Sequence, residues 1–139
     1  MRWVVDTCII IDVLDADPQF GLESANLVDR YQCDGLVICP ITFIELAPAF
    51  EGNMEQAKFF LKQINIDYLA EWNWIDTKNT FEAWNIYVEG KRNGSINKRP
   101  IADIQIGAFA KRFKGLITRN ARDFSTVFPD LNIISNKPK

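Results

Sequence analysis

Short apolar runs punctuate the chain: Arg-Trp-Val-Val at 2–5, Leu-Val-Ile-Cys at 36–39, Trp-Asn-Trp-Ile at 72–75, Gly-Leu-Ile-Thr at 115–118 and Leu-Asn-Ile-Ile at 131–134. Each is bounded by turn-forming or charged residues, the pattern of strands buried on both faces of a parallel sheet. Between them lie segments of helical length, at Cys8–Leu14, Leu22–Tyr31, Ile41–Phe50, Met54–Ile64, Thr77–Glu89 and Pro100–Phe113. Pro48 is expected to kink or end the third of these, and Pro100 suits a first helical turn. Strands alternating with helices predict an α/β sandwich. In such sheets ligands collect outside the carboxyl ends of the strands, so polar residues that directly follow a strand carry the most weight.

Asp6 is such a residue, and so is the stretch Thr118-Arg119-Asn120-Ala121-Arg122-Asp123. Helix capping accounts for Asp6 equally well, since aspartate is a preferred N-cap, and Thr7 then simply starts a helix. Glu45 is harder to assign to structure alone. In Ile41-Thr42-Phe43-Ile44-Glu45-Leu46-Ala47-Pro48-Ala49-Phe50 its same-face neighbours one turn away are Ile41 and Ala49, so the sequence predicts a carboxylate among apolar side chains, costly unless paired or metal-bound, with an edge-exposed glutamate on a half-buried helix as the alternative. Asp103 repeats the pattern in a helix whose apolar residues surround the axis. Gly107 and Ala110, on its own face, allow another element to approach closely, and interaction with the helix dipole is the structural alternative. Thr118, Asn120 and Asp123 follow a strand, where turn and capping roles compete. Three or four carboxylates brought to one sheet end would repel one another unless a divalent cation neutralised them. An all-oxygen set suits Mg²⁺ or Mn²⁺.

Composition narrows the chemistry further. The chain contains no histidine, which excludes Ser-His-Asp triads, Cys-His pairs, imidazole acid–base catalysis and His-ligated zinc. Its 139 residues, 47% hydrophobic and 24% charged, predict one domain spanning 1–139 with a sufficient core, disorder being confined to the Asn-Lys-Pro-Lys tail. No run is long enough to cross a membrane and no signal peptide is recognisable, so a cytoplasmic location is expected. Cys8, Cys33 and Cys39 lack zinc-ligand spacing and read as reduced thiols packed in the core.

The net charge of −2 is unevenly spread: residues 1–69 hold four Lys/Arg against eleven Asp/Glu, and residues 70–139 twelve against seven. Basic residues gather at Lys91, Arg92, Lys98, Arg99 and at Lys111, Arg112, Lys114, Arg119, Arg122. Such clusters grip a polyanion or simply solvate a surface. Trp72, Trp74 and Trp84 offer rings for base stacking, with burial in the core the safer expectation.

Taken together, Val4-Val5-Asp6-Thr7-Cys8-Ile9-Ile10-Ile11-Asp12, Ile41–Ala47, Ile101–Phe113 and Leu116–Phe124 resemble, in order and over essentially the whole chain, the PIN-domain ribonucleases, and within them the VapC-type toxins of toxin–antitoxin pairs. The resemblance implies a PIN-like three-layer α/β/α sandwich with a central parallel sheet. It implies Asp6, Glu45, Asp103 and Asp123 as the acidic catalytic set, Asp6 and Asp103 as direct ligands of Mg²⁺ or Mn²⁺, and Asn120 as a competitor of Asp123 for the fourth role. Thr7 and Thr118 match supporting hydroxyl positions. Arg119, with Lys98, Arg99 and Arg122, is expected to hold substrate RNA. Cys8 departs from the family pattern, in which Ser or Asn is usual. A homodimer silenced by a cognate antitoxin protein is the implied assembly. A catalytically silent PIN module and a nuclease of RNA maturation are the alternatives.

Rival chemistries find less support. An aspartyl-nucleophile phosphatase wants Asp-x-Asp, where Cys8 stands second. A phosphate-receiving signalling domain wants adjacent acids and a late lysine. Counting a calcium loop from Asp15 puts Phe20 at the turn position and Asn26 at the closing one.

Overall fold

The computed structural model describes residues 1–92 and 101–135. The expected polar loop with Lys98 and Arg99, the first-turn position of Pro100 and the Asn-Lys-Pro-Lys tail lie outside the described residues. Five strands, β1 (Trp3–Val5), β2 (Leu36–Val37), β3 (Ile66–Asp67), β4 (Gly115–Ile117) and β5 (Ile133–Ile134), form one sheet in the order β3-β2-β1-β4-β5. All four pairings are parallel, with Val4 opposite both Val37 and Leu116.

Helices α1 (Thr7–Leu14), α2 (Gly21–Tyr31), α3 (Pro40–Glu45), α4 (Met54–Gln63), α5 (Trp74–Arg92), α6 (Ile101–Ala110) and α7 (Ala121–Val127) complete the described elements. Alternate strand residues feed two cores. Trp3, Val5, Leu36 and Ile117 pack with Ile9, Ile10, Leu27 and Leu61 on one face, and Val4, Val37 and Leu116 pack with Ala83, Tyr87, Ile106 and Phe109 on the other. This is a three-layer α/β/α sandwich with a central parallel sheet: the apolar pattern predicts the α/β sandwich, and the resemblance implies its three layers. No helix among the described residues is long and apolar enough to cross a membrane.

Four expectations need correction. The third strand is Ile66–Asp67, and Trp74-Ile75 instead opens α5. There the Asp76 carboxylate accepts from the Asn73 amide at 2.8 Å while the Asp76 amide donates back to the Asn73 carbonyl at 3.0 Å, a reciprocal cap that fixes the helix start. The helix expected over Ile41–Phe50 ends at Glu45 and resumes as a 3₁₀ turn at Pro48–Phe50, because proline lacks the N–H that would continue it. Trp74 is 78% exposed and Trp84 38% exposed, so neither is a core residue. Ala83 and Tyr87 are the hydrophobic side chains that α5 buries, and Trp84 is rotated away from them. Finally, Cys33 is exposed, on the 3₁₀ turn that follows α2, rather than packed in the core. Gly107 behaves as expected: a Cβ there would collide with the Phe128 ring.

Candidate active site

The strand order fixes where chemistry can sit. From β1 the chain moves outward through β2 to β3, then returns to the other side of β1 with β4, so the order reverses between β1 and β4. Such a switch point opens a crevice at the carboxyl ends of the two strands. Asp6 follows β1 and Thr118 follows β4.

The two side chains meet there. Thr118 Oγ1 donates to Asp6 Oδ2 at 2.7 Å, and the Cys8 thiol donates to the same oxygen at 3.3 Å. The Thr7 amide donates to Asp6 Oδ1 at 2.8 Å, so Asp6 is the N-cap of α1 and a member of the site at once. Asp6 is 4% exposed and Thr118 fully buried. The Asn120 amide donates to Thr118 Oγ1 at 3.0 Å, leaving the hydroxyl proton directed at the carboxylate.

Glu45 ends α3 and is exposed, not buried as its apolar neighbours suggested, because Ile44 and Ala49 beside it are exposed as well. Its Oε1 accepts from the Thr7 hydroxyl at 2.7 Å, and that hydroxyl lies 3.1 Å from the hydroxyl of buried Thr42. Adjacent residues Asp6 and Thr7 thus tie the switch point to α3. Helix α6 packs on α3 and leads by a short turn into β4, so it runs against the strands, and its first turn, with half-buried Asp103, lies at the carboxyl edge of the sheet. Asp123 is exposed in the first turn of α7, and Asn120 is that helix's N-cap, without a side-chain capping bond.

Among the described residues no group of three or more His, Cys, Asp or Glu side chains could hold a metal ion. Glu45 is engaged by Thr7, and Asp123 stands on an exposed helix turn. A groove of about 790 Å³ between α2 and the α7–β5 segment, lined by Arg30, Tyr31, Arg122 and Ile133, contains none of the expected acids.

Sequence reasoning passed over Asp12. It is 2% exposed and holds the Arg119 guanidinium with Nε at 2.7 Å and Nη2 at 3.1 Å. A lone aspartate in the apolar run Cys8-Ile9-Ile10-Ile11-Asp12-Val13-Leu14 was the available signal. The hydrogen bonds that Arg119 donates to Asp12 hold the arginine's pKa above its ordinary value.

Burial, reinforced by the Asp6 charge, pushes the Cys8 thiol up to about 12, and burial does the same to Cys39. Both remain thiols, and Cys8 keeps its proton for Asp6. At neutral pH dithionitrobenzoate is therefore expected to modify Cys33 alone in the folded protein, with Cys8 and Cys39 reacting only after denaturation. Rapid modification of Cys8 in the native state would contradict this environment.

A parallel 3-2-1-4-5 sheet, with a carboxylate held at its switch point beside the β1–β4 crevice, defines an α/β sandwich protein. The chain belongs to the PIN domain family, whose description matches residues 3–127. Its fold is similar to that of VapBC-1 from nontypeable Haemophilus influenzae, at 22% identity and a TM-score of 0.70, over 97% of this chain and 98% of that one. It is also similar to VapBC2 from Rickettsia felis bound to a DNA fragment from their promoter, at 18% identity and a TM-score of 0.61, over 97% and 98% of the two chains. FitAB bound to an IR36 DNA fragment gives 20% identity and a TM-score of 0.61, over 97% and 94%. No curated protein matches the chain.

Proposed function

We propose that this chain is a metal-dependent endoribonuclease, the toxin of a type II toxin–antitoxin pair, which hydrolyses RNA phosphodiester bonds. The observation that carries this reading is the Asp6 carboxylate, 4% exposed at the topological switch point and held from both sides by the Thr7 amide and the Thr118 hydroxyl. Membership of the PIN family and the likeness of fold to VapBC and FitAB proteins support it.

The donor chemistry fits Mg²⁺ or Mn²⁺. These ions take oxygen ligands, keep several waters and need only one or two carboxylates, so Asp6 and Asp103 would hold one without a third acid. When bound, the ion supplies charge neutralisation at the phosphate and lowers the pKa of water. The protein's own residues do the rest. Thr118 and Cys8 direct protons at Asp6 Oδ2 and fix the carboxylate plane. Thr7 orients Glu45, and Glu45 or Asp123 deprotonates or positions the attacking water, with Asn120 the competitor of Asp123 for the fourth role. Attack by water leaves a 3'-hydroxyl and a 5'-phosphate. Single-stranded or looped RNA suits a crevice that a stiff duplex cannot enter.

The proposed assembly is a cytoplasmic homodimer inhibited by a cognate antitoxin protein. Incubating a mixed RNA pool with the protein in Mg²⁺, Mn²⁺ or EDTA tests the reading. Cleavage with either ion, and none with EDTA, is expected. No cleavage under any condition would instead assign a catalytically silent PIN module, and equal cleavage in EDTA would remove the metal from the mechanism.

A further inference from the structure

Cys8 and Asp12 are four residues apart on α1 and therefore share a face, one turn above the other. That face grips three consecutive residues of the turn between β4 and α7. Cys8 Sγ lies 3.8 Å from Thr118 Oγ1 and 4.0 Å from Asn120 Nδ2, while Asp12 takes the Arg119 fork between them. The second attachment is the stronger. Asp12 accepts from Arg119 through two parallel N–H contacts and from the buried Ser24 hydroxyl of α2 at 2.8 Å. The guanidinium lies over the Phe20 ring, 4.3 Å from its centroid. If Arg119 turned to a phosphate, it would leave the Asp12 carboxylate buried without its counter-charge, a costly exchange.

We propose that Asp12 is a positioning residue of the nuclease site. By holding Arg119 it fixes the β4–α7 turn so that the Thr118 hydroxyl stays on Asp6, and Arg119 serves this lock instead of contacting substrate phosphate. The assignment rests on the endoribonuclease reading of the site, and it replaces the RNA-binding role that the basic clusters suggested for Arg119.

The test compares Asp12→Asn, Arg119→Lys and the parent protein, all carrying Cys33→Ser to remove the exposed thiol. On RNA, both variants are expected to lose about 10²-fold in kcat, the cost of a small misplacement, with KM within twofold of the parent. Lysine keeps the charge but not the two-pronged geometry, so it does not rescue the rate. The salt dependence of RNA binding stays that of the parent. Were Arg119 a phosphate contact, Arg119→Gln, included as a third variant that removes the charge, would instead lower the slope of log K against log salt by about 0.7 on single-stranded RNA. A raised KM with that smaller slope and unchanged kcat would overturn the proposal.

Dithionitrobenzoate supplies a readout independent of activity. In Asp12→Asn, Cys8 is expected to become reactive as the turn loosens, while Cys39 stays protected. Reaction of both thiols would report general loosening, and a Cys8 as protected as the parent's would show no lock; either result overturns the proposal. If the parent cuts no RNA, the functional reading fails, yet the thiol measurement still decides whether Asp12 holds the turn.

Discussion

Asp6→Asn is expected to slow RNA cleavage on the order of 10²–10⁴-fold, roughly 3–5 kcal/mol of the charge stabilisation that an ion held by this carboxylate would supply, while the protein still folds. The fold should tolerate the change because asparagine is nearly isosteric and most of the local hydrogen bonding can be remade. Its carbonyl oxygen can still accept from the Thr7 amide, now 2.8 Å from Asp6 Oδ1. Its amide then faces Thr118, whose hydroxyl can rotate and accept instead of donating. What asparagine cannot replace is the negative charge at the switch point. Asp103→Asn should give a comparable loss. Mg²⁺ should raise the melting temperature of the wild type more than that of Asp103→Asn, since an ion bound only by the folded form stabilises it. Cleavage within tenfold of wild type by Asp6→Asn, measured with the same RNA pool, would remove that carboxylate from the reaction.

The fold was legible wherever a single face of the apolar pattern decides it. Trp3–Val5 and Gly115–Ile117 are buried on both sides and read as strands because nothing else suits so short an apolar run. Ile66–Asp67 did not, since a two-residue strand between α4 and a loop leaves no periodicity. The aromatic density of Trp72-Asn73-Trp74-Ile75 imitated a strand. The better signal there was Asn73 followed three residues later by Asp76, a capping pattern that places a helix start. Helix α7 is not among the expected helices: capping and turn roles compete at Asn120 and Asp123, and seven residues are too few for an apolar period to decide between them.

At the site, a polar residue after a strand was a sound guide to Asp6 and Thr118, because topology alone carries both to one crevice. Burial was a poorer guide. An apolar neighbourhood in sequence implied a sheltered Glu45, yet much of that apolar surface, Ile44 included at 66% exposure, faces outward. The pairing of Asp12 with Arg119 spans 107 positions and left no local trace. Asp12 carries the same local signal as Asp103, a lone acid in an apolar helix.

Asp76→Ala is expected to be the most damaging single change to stability, costing about 3–5 kcal/mol. Asp76 is fully buried, and its two oxygens meet Arg112 Nε at 2.7 Å and Nη2 at 2.8 Å. The same guanidinium reaches the Glu71 carbonyl at 2.8 Å and lies over the rings of Phe109 and Phe113, at 5.0 and 5.1 Å from their centroids. Arg112 follows the end of α6 and Asp76 stands in the first turn of α5, so the pair joins the two helices of the layer that carries Asp103. Removing the carboxylate strands a guanidinium whose side chain is only 24% exposed, and also uncaps α5 by taking the acceptor from the Asn73 amide. For a chain of this size the melting temperature should fall by roughly 10–15 °C in calorimetry. The sign of a second substitution separates ion pairing from simple packing. Adding Arg112→Met to Asp76→Ala removes the orphaned charge, so the double variant should melt above the single one. A double variant that melts lower would mean that Arg112 stabilises through its stacking on Phe109 and Phe113 more than through Asp76.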